Sequence, residues 1–353
     1  MSASENASDP AVSGLPRPGR CLLIAEAGVN HNGSLERALE MVDAAAEAGV
    51  DAVKFQTFKS ALLVHRDAEK GKYQQKTTSA GESQYAMLAR LELSAGDFRV
   101  LRDRCRERGV LFLSTPFDEE SAVLLEQLDV AAFKLSSADI TNLPLITRVA
   151  ATGRPVILST GMSELGEIDE AVAAARHAGC RDLRLLHCVS AYPTPAAECN
   201  LRAMDALRSR YGVPVGFSDH TLGIHIAPAA VALGAEILEK HFTLDRALPG
   251  PDHAASLVPS ELAQMVANVR EVESALGDGA KRRTASESEN LAIGRRSLHW
   301  TRTIPAGESV RVEDFVALRP GTGLPPGRRD GLIGRRLARA VREGEMVREE
   351  DFA

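Results

Sequence analysis

The sequence predicts an α/β fold, an eight-stranded β/α (TIM) barrel followed by a small C-terminal domain. Three observations carry that prediction. Eight short β-rich runs alternate with segments whose apolar residues recur at helical spacing, the order expected of parallel βαβ units. The runs are apolar along most of their length and fit within a little more than 220 residues. That suits a closed barrel better than an open doubly wound sheet, and no glycine-rich dinucleotide fingerprint follows the first run. Past residue 300 a pair of related motifs breaks the alternation and marks a separate unit.

Residues 1–20 have no basic start followed by an apolar core and are expected to form a loose tail, with the barrel over 21–278. The eight runs are CLLIAEAG (21–28), DAVKFQTF (51–58), VLFLSTPF (110–117), AAFKLSSA (131–138), PVILSTGM (155–162), LRLLHCVS (183–190), PVGFSDH (214–220) and EILEKHFT (236–243). SLERALEMVDAAAEAG, ESAVLLEQLD, GEIDEAVAAARHAG and IAPAAVALGA read as the helices between them, Ser34 being a candidate N-cap of the first. The second connection is the longest and should contribute to a substrate site or its lid. A helix is expected near 259–276, a polar linker over 279–293 and the small domain over 294–353. In that domain RTIPAGESVRVEDF (302–315) and RAVREGEMVREEDF (339–352) repeat at an offset of 37 residues, which implies internal pseudo-symmetry.

A net charge of −6 and a pI near 5.9 give no basic field for nucleic acid or an acidic membrane surface, so an anionic ligand must be held by a local cluster. No apolar run approaches the ~18 residues that suggest a membrane span. Five cysteines without C-x-x-C spacing fit a reducing, cytoplasmic compartment.

Function is legible in where the polar residues fall. Glu26, Lys54, Gln56, Thr115, Lys134, Ser137, Ser159, His187, Ser190, Ser218, His220 and His241 all lie in the second half of their runs or just beyond, the end that forms the catalytic face of a barrel. His220 and His241 close neighbouring strands, ~4.8 Å apart, and together suit a divalent metal that polarises a carbonyl; taken singly, each reads as a hydrogen-bonded strand-end histidine rather than a ligand. Lys54 and Lys134 interrupt apolar strands beside Thr115, Ser137, Ser159 and Ser218. They form an anion pocket, or else are rim lysines with buried stems, or a Schiff-base lysine. Glu26 is either a structural partner of a strand lysine or a proton carrier. His31 sits in the turn VNHNG, and LPGPDHAAS brings Asp252 and His253 to the same face.

Taken in order, IAEAGVNHNG, AVKFQT, STPF, FKLSSADITN, ILSTGM, LHCVSAYPTP, GFSDHT, EKHFTLD and GPDHAAS resemble the sialic acid synthase family, and the C-terminal unit with LRPGTG resembles that family's antifreeze-like (SAF) domain. The resemblance runs from about residue 20 to the end. It implies metal-dependent condensation of phosphoenolpyruvate with an N-acylated mannosamine-type sugar, giving a nine-carbon 2-keto sugar acid, N-acetylneuraminate or a close relative, and phosphate. The alternative within it is a legionaminate-type synthase using a 2,4-diacetamido-trideoxy hexose; outside it stand a Schiff-base pyruvate aldolase and a non-catalytic sugar-binding protein. It further implies a divalent cofactor, Mn²⁺ before Mg²⁺ or Co²⁺, and a homodimer in which one chain's small domain caps the other's barrel. Residue by residue, it implies His220 and His241 as metal ligands. Lys54, Thr115, Lys134, Ser137, Ser159, Ser190 and Ser218 become phosphoenolpyruvate contacts. Glu26 lies beside the reacting centre, with Lys54, Lys134 and Asp252 also catalytic. Gln56, Asp139, Tyr192, Asp252 and, from the partner, Arg319 become sugar contacts. Ala138 and Asp139 depart from the family's more usual Gly and Glu, and Ser190 stands where some members carry Asn.

Overall fold

The structure, a computed structural model, describes residues 15, 19–71, 74–75, 78 and 81–353, so most of the expected tail lies outside the described residues. The chain divides into two compact units, Met1–Gly277 and Asp278–Ala353.

The first unit is a ring of eight parallel strands: β1 (Leu22–Gly28), β2 (Ala52–Thr57), β3 (Leu111–Pro116), β4 (Phe133–Leu135), β5 (Val156–Ser159), β6 (Leu183–Cys188), β7 (Val215–Asp219) and β8 (Ile237–His241). The hydrogen-bonded order is β3-β2-β1-β8-β7-β6-β5-β4, and β3 and β4 lie side by side to close it. Helices follow the strands: α1 (Leu35–Glu47) after β1; α2 (Ser60–Leu63), α3 (Gln84–Ala89) and α4 (Ala95–Glu107) after β2; then α5 (Glu119–Gln127), α6 (Leu143–Ala150), α7 (Leu165–His177), α8 (Ala203–Tyr211), α9 (Ile226–Ala232) and α10 (Pro259–Leu276). Ser34 caps α1, its hydroxyl accepting from Arg37 N at 3.2 Å.

The period of two along each strand sorts its residues. Leu23, Ala25, Val53, Phe55, Leu158 and Leu238 face the helix layer and build the main core. Leu22, Ile24, Ala52, Leu113, Ile157, Leu186 and Ile237 face inward and plug the barrel floor. Packing there is close enough to demand glycine at 216, where a Cβ would lie 2.2 Å from Ile237 O and 2.8 Å from Leu186 Cδ2. One step further along the same inward columns the residues turn polar: Ile24 gives way to Glu26, Ala52 to Lys54, Leu113 to Thr115, Ile157 to Ser159, and Ile237 to Glu239 and then His241.

β4 is shorter than the sequence suggests. It ends at Leu135 because Ser136 Oγ donates to Asp139 Oδ2 (2.7 Å) and the chain curls into a 3₁₀ turn over Ser137–Asp139. His187, expected among the inward polar residues, has the opposite parity. Its Nε2 bonds Cys199 O at 2.8 Å, and Cys188 faces the interior instead.

In the second unit the stretch read as a linker carries a helix, α11 (Ala285–Gly294), none of whose residues is buried. Glu287 caps it, Thr284 N and Oγ1 both donating to Glu287 Oε2 at 2.8 and 3.1 Å. Beyond it β9 (Ser297–Trp300) pairs antiparallel with β10 (Phe315–Leu318) over a core that includes Leu298, Trp300, Ile304, Val341 and Val347. The 37-residue repeat is spatial as well as sequential. Ile304 and Val341 exchange main-chain hydrogen bonds (3.0 and 2.9 Å). Gly307 N donates to Leu337 O as Gly344 N donates to Trp300 O (2.7 and 2.8 Å). Arg302 pairs with the buried Asp314 as Arg339 does with the buried Asp351 (2.7 and 2.5 Å).

Candidate active site

Fourteen of the fifteen residues to which the resemblance gives a role, all but Arg319, line one cavity of about 560 Å³ at the C-terminal ends of the strands. His31 does not. It is fully buried, its ring 6.1 Å from that of Phe55.

The inner end of the cavity holds a buried quartet of charges. Lys54 Nζ lies 2.7 Å from Glu26 Oε2, donates to Thr115 Oγ1 at 3.0 Å and stands 3.6 Å from Glu239 Oε2. Lys134 Nζ donates to Ser159 Oγ at 2.6 Å and to Leu135 O at 3.0 Å, with Glu239 Oε1 at 3.8 Å. Glu239 also accepts from Ser218 Oγ at 2.8 Å. No role was assigned to Glu239 from sequence, yet its parity with His241, two residues on, is the signal that turns it inward. Burial raises the Glu239 carboxyl, but Lys134 and Lys54 on either side outweigh it and hold the pKa down to about 2. Burial dominates for Glu26, with Lys54 opposing, and lifts it to about 7. Lys54 is held up by Glu239 and Glu26 against its own burial, whereas Lys134 is pushed down by burial despite Glu239.

Ser137 Oγ accepts from Gly161 N at 2.9 Å and lies 3.1 Å from Cys188 Sγ. A Cβ at position 161 would sit 2.4 Å from Ser190 Oγ, so glycine lets the main chain approach both serines. Asp139, with Ser136 and Asn142 as donors, is pushed up by burial.

His220 and His241 meet with ring centroids 5.4 Å apart, and Tyr192 packs on both. Val189 O can only accept, so His220 Nδ1, 2.8 Å away, carries the proton and Nε2 presents a lone pair. Ser218, 3.3 Å from that nitrogen, gives its proton to Glu239. His241 Nδ1 is buried and has no hydrogen-bond partner among the described residues. Burial lowers both histidines, which leaves neutral imidazoles, the form that ligates metals. The donor set fits a divalent ion held by two nitrogens with its other positions toward the cavity; among the described residues no third His, Cys, Asp or Glu completes a cluster.

The outer end has a different character. Leu63, Val64, Met87 and Leu88 arrive from the long connection after β2, as the sequence led us to expect of that loop, and join Val29 and Phe117 in an apolar wall. Gln56, Tyr192 and Asp252 supply polar atoms. No hydrogen bond or ion pair reaches the Asp252 carboxylate among the described residues, and burial lifts its pKa to about 6.

Such an arrangement, two paired lysines beneath two neutral histidines in a barrel mouth, coincides with a match to the NeuB family over residues 41–281 and to the SAF domain over residues 295–353. The chain belongs to the NeuB family. It is 43% identical over 332 residues to the N,N'-diacetyllegionaminic acid synthase of Campylobacter jejuni, covering 94% of this chain and 99% of that one. To the synthase of the same name from Legionella pneumophila it is 43% identical over 331 residues, 93% of each chain. Among solved structures, N-acetylneuraminic acid synthetase from Leptospira borgpetersenii in complex with citrate aligns with a TM-score of 0.68 at 37% identity, over 77% of this chain and 90% of that one. As a NeuB family member the protein is an enzyme, a transferase-type synthase that condenses phosphoenolpyruvate with a sugar. That removes both the pyruvate aldolase and the non-catalytic reading. Enzymes of this family use a divalent metal.

Proposed function

We propose that the acceptor is an unphosphorylated, N-acylated hexose in its open-chain form, with a 2,4-diacetamido-trideoxy hexose, leading to a legionaminate-type product, ahead of N-acetylmannosamine. One observation carries this reading: the only lysines or arginines lining the cavity among the described residues, Lys54 and Lys134, are committed to the inner end, while the outer end offers an apolar wall with neutral amides, Tyr192 and Asp252. The barrel's own described residues would offer a sugar 6-phosphate no cation there. Methyl and acyl groups would bury against Leu63, Met87, Leu88 and Phe117, at about 0.8 kcal/mol per CH₂. Similarity to the two legionaminic acid synthases supports the same order.

In this reading Lys54 and Lys134, with Thr115, Ser137, Ser159, Ser190 and Ser218, hold the phosphate and carboxylate of phosphoenolpyruvate and orient its C3 toward the aldehyde. His220 and His241 would hold the divalent ion, Mn²⁺ in our proposal, which when bound polarises the aldehyde oxygen. Gln56, Asp139 and Tyr192 position the sugar. C3 bonds to the aldehyde carbon, whose oxygen takes a proton from the carboxylic acid form of Glu26. Asp252 removes a proton from water as it adds at C2; the C2–O bond to phosphate then breaks while the new C2 hydroxyl passes its proton to the Glu26 carboxylate, which leaves the ketone and releases phosphate.

We place Arg319 over the barrel mouth of a second copy. It is exposed, with no ion pair among the described residues, and is flanked by exposed Val316 and Leu318. Leu62, in α2, and Met162 and Leu222, in the loops after β5 and β7, are exposed as well. Charges complement: the barrel unit carries 27 Lys and Arg against 36 Asp and Glu, the small unit 15 against 12. A cytoplasmic site of action is in keeping with five free, buried cysteines; among the described residues no helix is long and apolar enough to cross a membrane.

The deciding experiment offers each candidate sugar with phosphoenolpyruvate and scores phosphate release, before and after exhaustive chelation. We expect kcat/KM for the diacetamido-trideoxy hexose to exceed that for N-acetylmannosamine 6-phosphate by at least ~100-fold. Chelation should abolish turnover and Mn²⁺ restore it. Preference for the 6-phosphate, or full activity in the chelated enzyme, would overturn the corresponding part.

A further inference from the structure

The turn after β1 and the loop after β8 carry polar residues that line no part of the cavity: Asn30 and Asn32 on one side, His253 and Ser256 on the other. We propose that Asn32 and His253 form a latch between these loops that holds the Asp252 carboxylate in its working position. They are positioning residues, and the inference rests on the reading of Asp252 as the group that takes the proton from water.

The argument begins with what Asp252 lacks. Its carboxylate has no side-chain or main-chain donor among the described residues, so only the course of its own backbone decides where it stands. That backbone is fastened at several points. Asn32 Nδ2 donates to Pro249 O at 2.8 Å, and Asn32 Oδ1 faces His253 Nε2 at 3.2 Å. The other ring nitrogen of His253 meets Thr243 Oγ1 at 2.7 Å. Ser256 Oγ donates to the Asp252 carbonyl at 2.7 Å and receives Asn30 Nδ2 at 3.0 Å, while the same Nδ2 donates to Phe242 O at 2.8 Å.

Chemistry fixes the direction of each bond. Because Pro249 O only accepts, Asn32 must present its oxygen to His253. Nε2 then carries the proton, and Nδ1 accepts from the Thr243 hydroxyl. Burial, with Arg37 adding to it, holds the pKa of His253 down to about 4, so this neutral tautomer persists across the physiological range.

Two backbone features serve the same contact. Asn32 has φ +51°, in the left-handed region that asparagine tolerates better than most residues. Gly250 leaves room for the pair: a Cβ there would lie 2.6 Å from His253 Cδ2 and 2.9 Å from Asn32 Oδ1.

The test is a double-mutant cycle on phosphate release with a thermal midpoint for each variant. Asn32→Gly keeps the left-handed backbone and deletes the side chain; His253→Gln is its counterpart across the latch. Each should lower kcat by about 10- to 100-fold, since a misplacement of ~1 Å costs on that order, while KM for phosphoenolpyruvate stays within about 2-fold. In an Asp252→Asn background neither change should cost more than about 2-fold further, because the group it positions is gone. Losses that multiply in full in that background, or that fall on KM for phosphoenolpyruvate, mean a merely structural role and overturn the latch. Asp252→Asn with near-normal turnover would instead defeat the reading of Asp252, whatever the latch variants do. If Asn32→Gly does not fold, the His253→Gln arm of the cycle decides alone.

Discussion

At the inner end of the cavity Lys54, Lys134, Glu26, Glu239, Ser159 and Ser218 stand in ion pairs and hydrogen bonds with one another at 2.6 to 3.8 Å. At the outer end the Asp252 carboxylate stands without a hydrogen-bond partner among the described residues, and Leu63, Met87 and Leu88 come in from a long insertion. An anion entering the inner end meets donors already fixed by the barrel floor, so little ordering remains to be done on binding. A sugar entering the outer end meets an apolar wall and a few polar atoms, and discrimination there must come from shape and from what is missing. In the function we propose, one cavity thus holds a pre-ordered half for the shared substrate and an adjustable half for the variable one.

Breaking the inner end should have the largest effect. Lys134→Met leaves Glu239 buried with one cation and Ser159 without its donor, so we expect kcat/KM for phosphoenolpyruvate to fall by about 10³-fold, together with about 3 kcal/mol of stability. Phosphate release and chemical unfolding measure the two; a loss confined to the sugar KM would contradict the division. The outer end is open to sharpening by subunit mixing. Arg319→Ala should raise the sugar KM about tenfold or more with little effect on phosphoenolpyruvate. Combined with a His241→Ala chain, it should recover part of the activity, because one site of the heterodimer keeps its own histidines and a partner's arginine. No recovery under proven subunit exchange would confine Arg319 to a surface role.

The effect furthest from turnover belongs to a group in neither half. Burial holds the pKa of His31 down to about 4, against about 6.5 in an unfolded chain. The unfolded chain then takes up a proton that the folded chain refuses. Stability is therefore fully present above pH about 6.5 and is lost as pH falls toward 4, by about 3 kcal/mol in all. Replacing His31 with Gln should flatten that part of the stability profile without changing the specificity of either cavity end. An unchanged profile would mean that His31 is not the group responsible.

The barrel and most inner-end residues were legible in sequence because polar side chains interrupt apolar runs at the same depth in strand after strand. His220 and His241 stand out for that reason. Glu239 does not: an acid before Lys240 reads as surface charge, and its partners Lys54 and Lys134 are distant in sequence. The apolar wall was hidden because Leu63 and Met87 lie in a segment without clear periodicity, where they look like ordinary core. Helix α11 reads as a linker in the sequence because it has no buried face, only the Thr284–Glu287 cap. β4 was drawn too long because SSA continues a β-like run, although Ser136 and Asp139 bond to each other first.

The reciprocal hydrogen bonds of the small domain also bear on how it can change over generations. Ile304 faces its own counterpart Val341, and the bond from Gly307 to Leu337 is mirrored by that from Gly344 to Trp300. Compensation for a substitution in one half must come from the copy of the motif 37 residues away. In an aligned set of such chains the positions of the two halves should covary in pairs, Ile304 with Val341 above all, and Asp314 and Asp351, each holding its arginine, should resist change together.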